Sequence, residues 1–358
     1  ILTLCMVGIS FVSILQVNAQ TDGEQNQFVI NSEDDFSKLM MSPEYWENNY
    51  KITLARDIDM TDKEFKPIEI FNGKFDGNGH TIKNLTIKDK SAKESVFYLA
   101  FIKTLGSSTE FAEFKNVTFD NYTIKDGSYK ILKYNPDLFF TTSDYCASGL
   151  VNYSYGTISG VNIKNGNMIN INKPEYFGSV AGFVIINEED GIIENCSVDM
   201  KSEKSNIDAG FVCSNFGKII NSSTTLSARG SGFVNTNYDT IEGCSSTGDV
   251  TGGKEFVGGF VIKNCNKGII NNCKATGTIK TDHKYGSAGG FAGINSYGTI
   301  KNSTACGDVK GKSELSGFIS SNYAGTIINC EATGNVTGSA NSDASGFVGK
   351  NKTYRSEF

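Results

Sequence analysis

A short phrase recurs along the second half of the chain, and this recurrence limits the fold more than any other feature. It reads Gly149-Leu150-Val151, Gly182-Phe183-Val184, Gly210-Phe211-Val212, Gly232-Phe233-Val234, Gly259-Phe260-Val261, Gly290-Phe291-Ala292, Gly317-Phe318-Ile319 and Gly346-Phe347-Val348, at intervals of 22 to 33 residues. Self-similarity at such a period marks a stacked solenoid, in which each repeat buries its apolar face only against its neighbours.

Five residues after each glycine stand Asn187, Asn215, Asn237, Asn264, Asn295, Asn322 and Asn351, with Ser154 the one exception. Asparagine at a fixed place tolerates left-handed turn geometry, and its amide can bond the equivalent amides above and below. A structural ladder is therefore expected.

A second phrase follows: Gly156-Thr157-Ile158, Gly191-Ile192-Ile193, Gly217-Lys218-Ile219, Asp239-Thr240-Ile241, Gly268-Ile269-Ile270, Gly298-Thr299-Ile300 and Gly325-Thr326-Ile327. Three residues beyond each Ile come Val161, Cys196, Ser222, Cys244, Cys273, Ser303 and Cys330, a column of small side chains suited to an interior file. Cysteine alternates there with Ser and Val, so burial explains it better than metal or redox chemistry. In-register neighbours pointing the same way suit disulfide geometry poorly, and free thiols are expected.

With Thr247-Gly248-Asp249-Val250 and its counterparts, each coil holds about three short β segments joined by Gly, Asn and Ser turns. Strands that return once per coil in a constant direction pair in parallel with the next coil. The fold expected is all-β, a right-handed parallel β-helix. Composition agrees: 39 Gly and 35 Asn supply turns, and only 4 Pro interrupt backbone pairing. At the front, Ser32-Glu33-Asp34-Asp35 reads as a helix start, with Phe36, Leu39 and Met40 on one face. A short helix near 33–41 is expected to cap the first coil, whose open edge would otherwise template aggregation.

Residues 1–19 carry no charge and close on Val17-Asn18-Ala19, the pattern of a secretory signal cleaved after Ala19. The apolar run is shorter than the roughly 20 residues that span a bilayer. Organisation is then read as 1–19 signal peptide, itself lacking its start, 20–124 cap and first coils, 125–148 an inserted loop, and 149–358 repeat coils. The last coil stops short, so the chain is expected to be part of a longer polypeptide, secreted or at a cell surface.

The net charge is −6 and Lys and Arg are scattered, which makes nucleic acid a poor partner. His80 and His283 are the only histidines and do not form a zinc motif, so no metal or other cofactor is expected. Asp76-Gly77-Asn78-Gly79 looks like the start of a calcium loop, but its twelfth position is Ile87 where such a loop needs Glu. Asp57, Asp59 and Asp76, near Arg56, are the nearest approach to a cluster of acids. Tyr155, Phe216, Tyr238 and Tyr297 precede the second phrase, with Tyr323 displaced by one, and could form an exposed row on which sugar rings stack.

Phe75-Asp76-Gly77-Asn78-Gly79-His80-Thr81-Ile82 and Asn84-Leu85, followed by Gly-Phe-Val and Gly-Thr-Ile-x-Asn-Cys-x-Ala-Thr-Gly coils, resemble bacterial surface proteins with GLUG-type repeats. The resemblance covers roughly residues 28–351, and departs from the usual motif in having Phe where Leu is commoner. Such repeats occur in adhesin-like proteins and in the non-catalytic N-terminal region of immunoglobulin A1 metallopeptidases. The resemblance implies a secreted or cell-surface β-helical adhesin-like module, without catalysis of its own, that presents loops and turn rows to glycans or to host or neighbouring-cell proteins. Two other readings stay open: a polysaccharide lyase or glycoside hydrolase of the β-helix type, and the non-catalytic front of a larger surface peptidase.

Overall fold

The computed structural model describes residues 26–47, 49–89, 97–126, 145–171, 178–203, 205–252, 256–340 and 342–353. The expected signal at 1–19 lies outside them, as do residues 127–144 of the expected insertion. The protein is a parallel β-helix. Three long sheets of eleven, thirteen and ten strands, counted among the described residues, run along it.

The register shows why the phrases recur. In the first sheet Ile158, Ile193, Ile219, Ile241, Ile270, Ile300 and Ile327 pair directly, coil upon coil. In the third sheet Val151, Val184, Val212, Val234, Val261, Ala292, Ile319 and Val348 do the same. Side chains alternate along a strand, so each column that enters the interior does so in every coil. The result is one continuous apolar core from Ile30 to Ile319.

Two further files run through this core. Phe183, Phe211, Phe233, Phe260, Phe291, Phe318 and Phe347 stack face to face at 4.7 to 5.0 Å between ring centroids. The glycines just before them lie so close that a Cβ on Gly149, Gly182, Gly210, Gly232, Gly259, Gly290 or Gly317 would sit 2.0 to 2.2 Å from the carbonyl oxygen of the next glycine in the file. No side chain fits there, which is why this position is glycine in successive coils from Gly149 to Gly317.

The front is closed as its sequence implies. Helix α1 (Glu33–Met41) is capped by Ser32, whose Oγ accepts the Asp35 N–H at 3.1 Å, and it buries Phe36, Leu39 and Met40. A short helix α2 (Glu44–Glu47) follows, and the Trp46 indole N–H donates to the Leu39 carbonyl.

Within the segment 125–148, Lys125 and Asp126 end the strand Thr123–Asp126, and Tyr145–Ser148 forms a strand between Phe97–Leu99 and Ser179–Ala181. Residues 125–126 and 145–148 of the expected insertion thus belong to strands.

Left-handed backbone falls on a different column from the one expected. None of the ladder asparagines has positive φ; instead Asn116, Gly160, Asn195, Asn221, Gly243, Asn272, Asn302 and Asn329 do, at the corner two residues past each Ile, or past Phe114 in the earliest of these coils. A strand that turns sharply out of one sheet into the next needs this conformation, which Asn and Gly adopt most readily.

Candidate functional site

The asparagine file is a continuous hydrogen-bonded chain. Asn187 Nδ2 donates to Asn215 Oδ1 at 2.8 Å, Asn215 to Asn237 at 2.8 Å, and Asn237 to Asn264 at 2.9 Å. Asn264 donates to Asn295, Asn295 to Asn322 and Asn322 to Asn351, each at 2.9 Å. The second amide hydrogen of each of the first six goes to the backbone carbonyl at the corner ahead, as from Asn215 to Gly217 at 2.8 Å and from Asn237 to Asp239 at 2.8 Å. Asn187, Asn215, Asn237, Asn264 and Asn295 are fully buried. Save for Asn187 Oδ1 at the end of the file, they are taken up by one another, and burial shuts all five away from a ligand.

The Cys and Ser column is a second relay, which composition alone did not disclose. Cys196 Sγ, Ser222 Oγ, Cys244 Sγ, Cys273 Sγ and Ser303 Oγ each donate to the carbonyl two residues back, at 2.8 to 3.2 Å. Most also accept a backbone N–H from the coil before, as Cys244 N to Cys273 Sγ at 3.4 Å. Thiol and hydroxyl are interchangeable here because each carries one donor hydrogen and acceptor lone pairs on the atom next to Cβ. All eight described cysteines are free. Burial pushes the Cys196 thiol up to about 12 and raises that of Cys273 as well.

The corner aromatics do not form the row expected of them. Register places Ser296, not Tyr297, in line with Tyr323, and Cys265 in line with Ser296. The Tyr238 N–H donates to Asn215 and that of Phe216 to Asn187, which continues the same column downward through Glu188 to Tyr155. The column therefore reads Tyr155, Glu188, Phe216, Tyr238, Cys265, Ser296, Tyr323. Tyr297 is an extra corner residue, held at φ 58° and 54% exposed. Only Phe216 and Tyr238 are neighbours, stacked at 4.7 Å and 2°. Each spends one ring face on the other, leaving their edges and outer faces for any ligand.

The front carboxylates are turn elements. Asp57 accepts the Thr81 N–H at 3.0 Å and lies near His80 and Lys83; the backbone donor is the main reason its acid is lowered. Asp59 is held by Thr61 and by Asn84 Nδ2 at 2.8 Å. Asp76 accepts the Asn78 N–H and Asn116 Nδ2 at 2.9 and 3.1 Å, as an Asx turn does. No group of three or more His, Cys, Asp or Glu that could hold a metal occurs among the described residues.

One cleft does bring charged side chains together. About 230 Å³ in volume, it lies on the outer face of the first sheet near its front and is lined by Lys51, Lys74, Phe75, Asp76, Glu113 and Lys115. Lys115 Nζ donates to Glu113 at 3.0 Å.

Residues 284–310 match the family model of the GLUG motif. No curated protein matches the chain. Among solved structures, a protein from Bacteroides ovatus described as a candidate immunoglobulin A1 protease matches with 15% identity and a TM-score of 0.39, over 91% of this chain and 85% of that one. Residues 284–310 hold Gly290-Phe291-Ala292, the Ile300 phrase and Gly307, whose counterparts stand in other coils. The chain is thus a parallel β-helix that carries a GLUG motif at residues 284–310, with the phrases of that stretch echoed in its other coils.

Proposed function

We propose that the protein is a binding module of a secreted or cell-surface protein, a stiff rod whose corners and outer faces contact glycans or proteins on host or neighbouring cells, with no catalysis of its own. The observation that carries this reading lies within single strands of the first sheet. The inward column is Ile in seven successive coils, from Ile158 to Ile327, whereas the next residue along reads Ser159, Glu194, Ile220, Glu242, Asn271, Lys301, Ile328. None of these seven is buried. A rod fixed inside and free to vary outside is suited to presenting different surfaces on one scaffold.

The test is a glycan array and a cell-binding assay with the chain from residue 26 onward, compared with a variant carrying Tyr155→Ala, Tyr238→Ala and Tyr297→Ala. Binding by the parent that the triple variant loses supports both the reading and the corners as its surface. Absence of binding to any glycan or cell type would overturn it.

A further inference from the structure

We infer that the cleft at the front of the first sheet is a site for an acidic sugar, a carboxylate- or sulfate-bearing ring held between Lys51 and Lys74. The inference rests on the glycan-binding reading above and gives it a ligand class and a location.

The argument begins with register. Lys51 and Lys74 are direct partners on adjacent parallel strands, so their side chains leave the same face one strand spacing apart, roughly 4.8 Å at the backbone. Like charges placed directly opposite each other repel and weaken a sheet. Neither ammonium has an ion pair or side-chain hydrogen bond among the described residues, although acids are close by. The acids are engaged elsewhere: Glu113 by Lys115, and Asp76 by the Asn78 N–H and Asn116 Nδ2. Both carboxylates of the lining are thus engaged, Glu113 also standing beside Lys74 in register, and three ammonium groups against two acids give the cleft a net charge of +1 on a chain whose net charge is −6.

An anion between the two ammonium groups would remove their repulsion and gain two charge-assisted hydrogen bonds. Size narrows the ligand. Pockets for whole drug-sized molecules run from roughly 300 to 1,000 Å³, so a cleft of about 230 Å³ takes one ring-sized group of a longer chain. The lysine stems supply an apolar wall for the ring, and the open sheet face lets the rest of the polymer pass along the rod.

The experiment measures binding of polygalacturonate, a sulfated polysaccharide, neutral dextran and sodium sulfate to the parent and to a Lys51→Gln, Lys74→Gln double variant, at low and at high salt. Both positions are exposed, and equal melting temperatures will show that the variant is folded. The expected result is binding of one or both acidic polymers, weakened at least tenfold by the double substitution and again by high salt. The two acidic polymers distinguish a carboxylate from a sulfate preference. Acidic and neutral polymers bound alike, or binding unchanged in the variant, would overturn the site and leave the glycan-binding reading standing; sulfate bound as tightly as either polymer would show an anion site without sugar recognition and overturn it too. Failure to bind any polymer counts against both.

Discussion

Asn187 Oδ1 and Ser154 Oγ occupy the same register one coil apart, both buried, and neither has a hydrogen-bond partner among the described residues. Here the asparagine ladder ends. Serine is too short to reach the next rung, so the first amide of the ladder has nothing to accept from. Replacing Ser154 with Asn supplies the missing Nδ2. The orphaned carbonyl moves down to position 154, against Leu105, so the net change is the gain of one or two bonds. Ser154→Asn is expected to stabilise by about 1 kcal/mol, read as a higher thermal midpoint; an unchanged or lower midpoint would mean that the gap is already filled by water.

The glycine file predicts a contrast along the rod. Gly232→Ala places a methyl 2.1 Å from the Gly259 carbonyl and must push two coils apart, with an expected cost of about 3 kcal/mol or more. Gly346 has no atom within 4 Å of its would-be Cβ, so Gly346→Ala should fall within about 0.5 kcal/mol of the parent. Chemical denaturation of the two variants side by side checks both.

Buried thiols make the fold sensitive to alkali. The folded state holds Cys196 as neutral thiol up to about 12, against an ordinary 9.0 in the unfolded chain, so its contribution is complete below pH 9 and is lost as pH rises to 12. Three units correspond to about 4 kcal/mol. Urea midpoints should be flat from pH 7 to 9 and fall steeply above, and Cys196→Ser should flatten that fall. At pH 8 only about one in ten thousand Cys196 side chains is thiolate, so iodoacetamide should label it at least a hundredfold more slowly in the native protein than in guanidine.

In the phenylalanine file each ring from Phe211 to Phe318 is held between two others, Phe260 between Phe233 at 4.7 Å and Phe291 at 4.8 Å. Phe260→Ala should cost about 3–5 kcal/mol. Phe260→Leu should cost about 1–1.5 kcal/mol, because Leu150 already stands in the same file between Phe101 and Phe183, fully buried. Calorimetric melts will show whether the ranking holds.

Repeats, sheet direction and capping helix were legible because each rests on spacing. Fixed offsets from Gly to Asn and from Ile to Cys are properties of the chain that stacking preserves. The left-handed corner was also written in the sequence, as Asn or Gly two residues past each Ile, but its conformation went to the wrong asparagines, since both columns hold the same residue type. The aromatic row failed for a different reason. Tyr297 is an inserted corner residue, and counting back from Gly298 cannot tell an insertion from a column. The lysine cleft was out of reach, because Lys51, Lys74 and Glu113 come from three coils without the recurring phrase, and only register brings them side by side.

The glycine contact has a consequence for how such a rod changes over generations. Each coil meets the one above through the same carbonyl, ring and amide that it shows to the one below. A duplicated or deleted coil therefore needs no new interface, only a corner of suitable length, and the corners already absorb spacings from 22 residues, Gly210 to Gly232, to 33, Gly149 to Gly182. The length of the rod is then set by copy number, which the gain or loss of whole coils changes without remaking the fold.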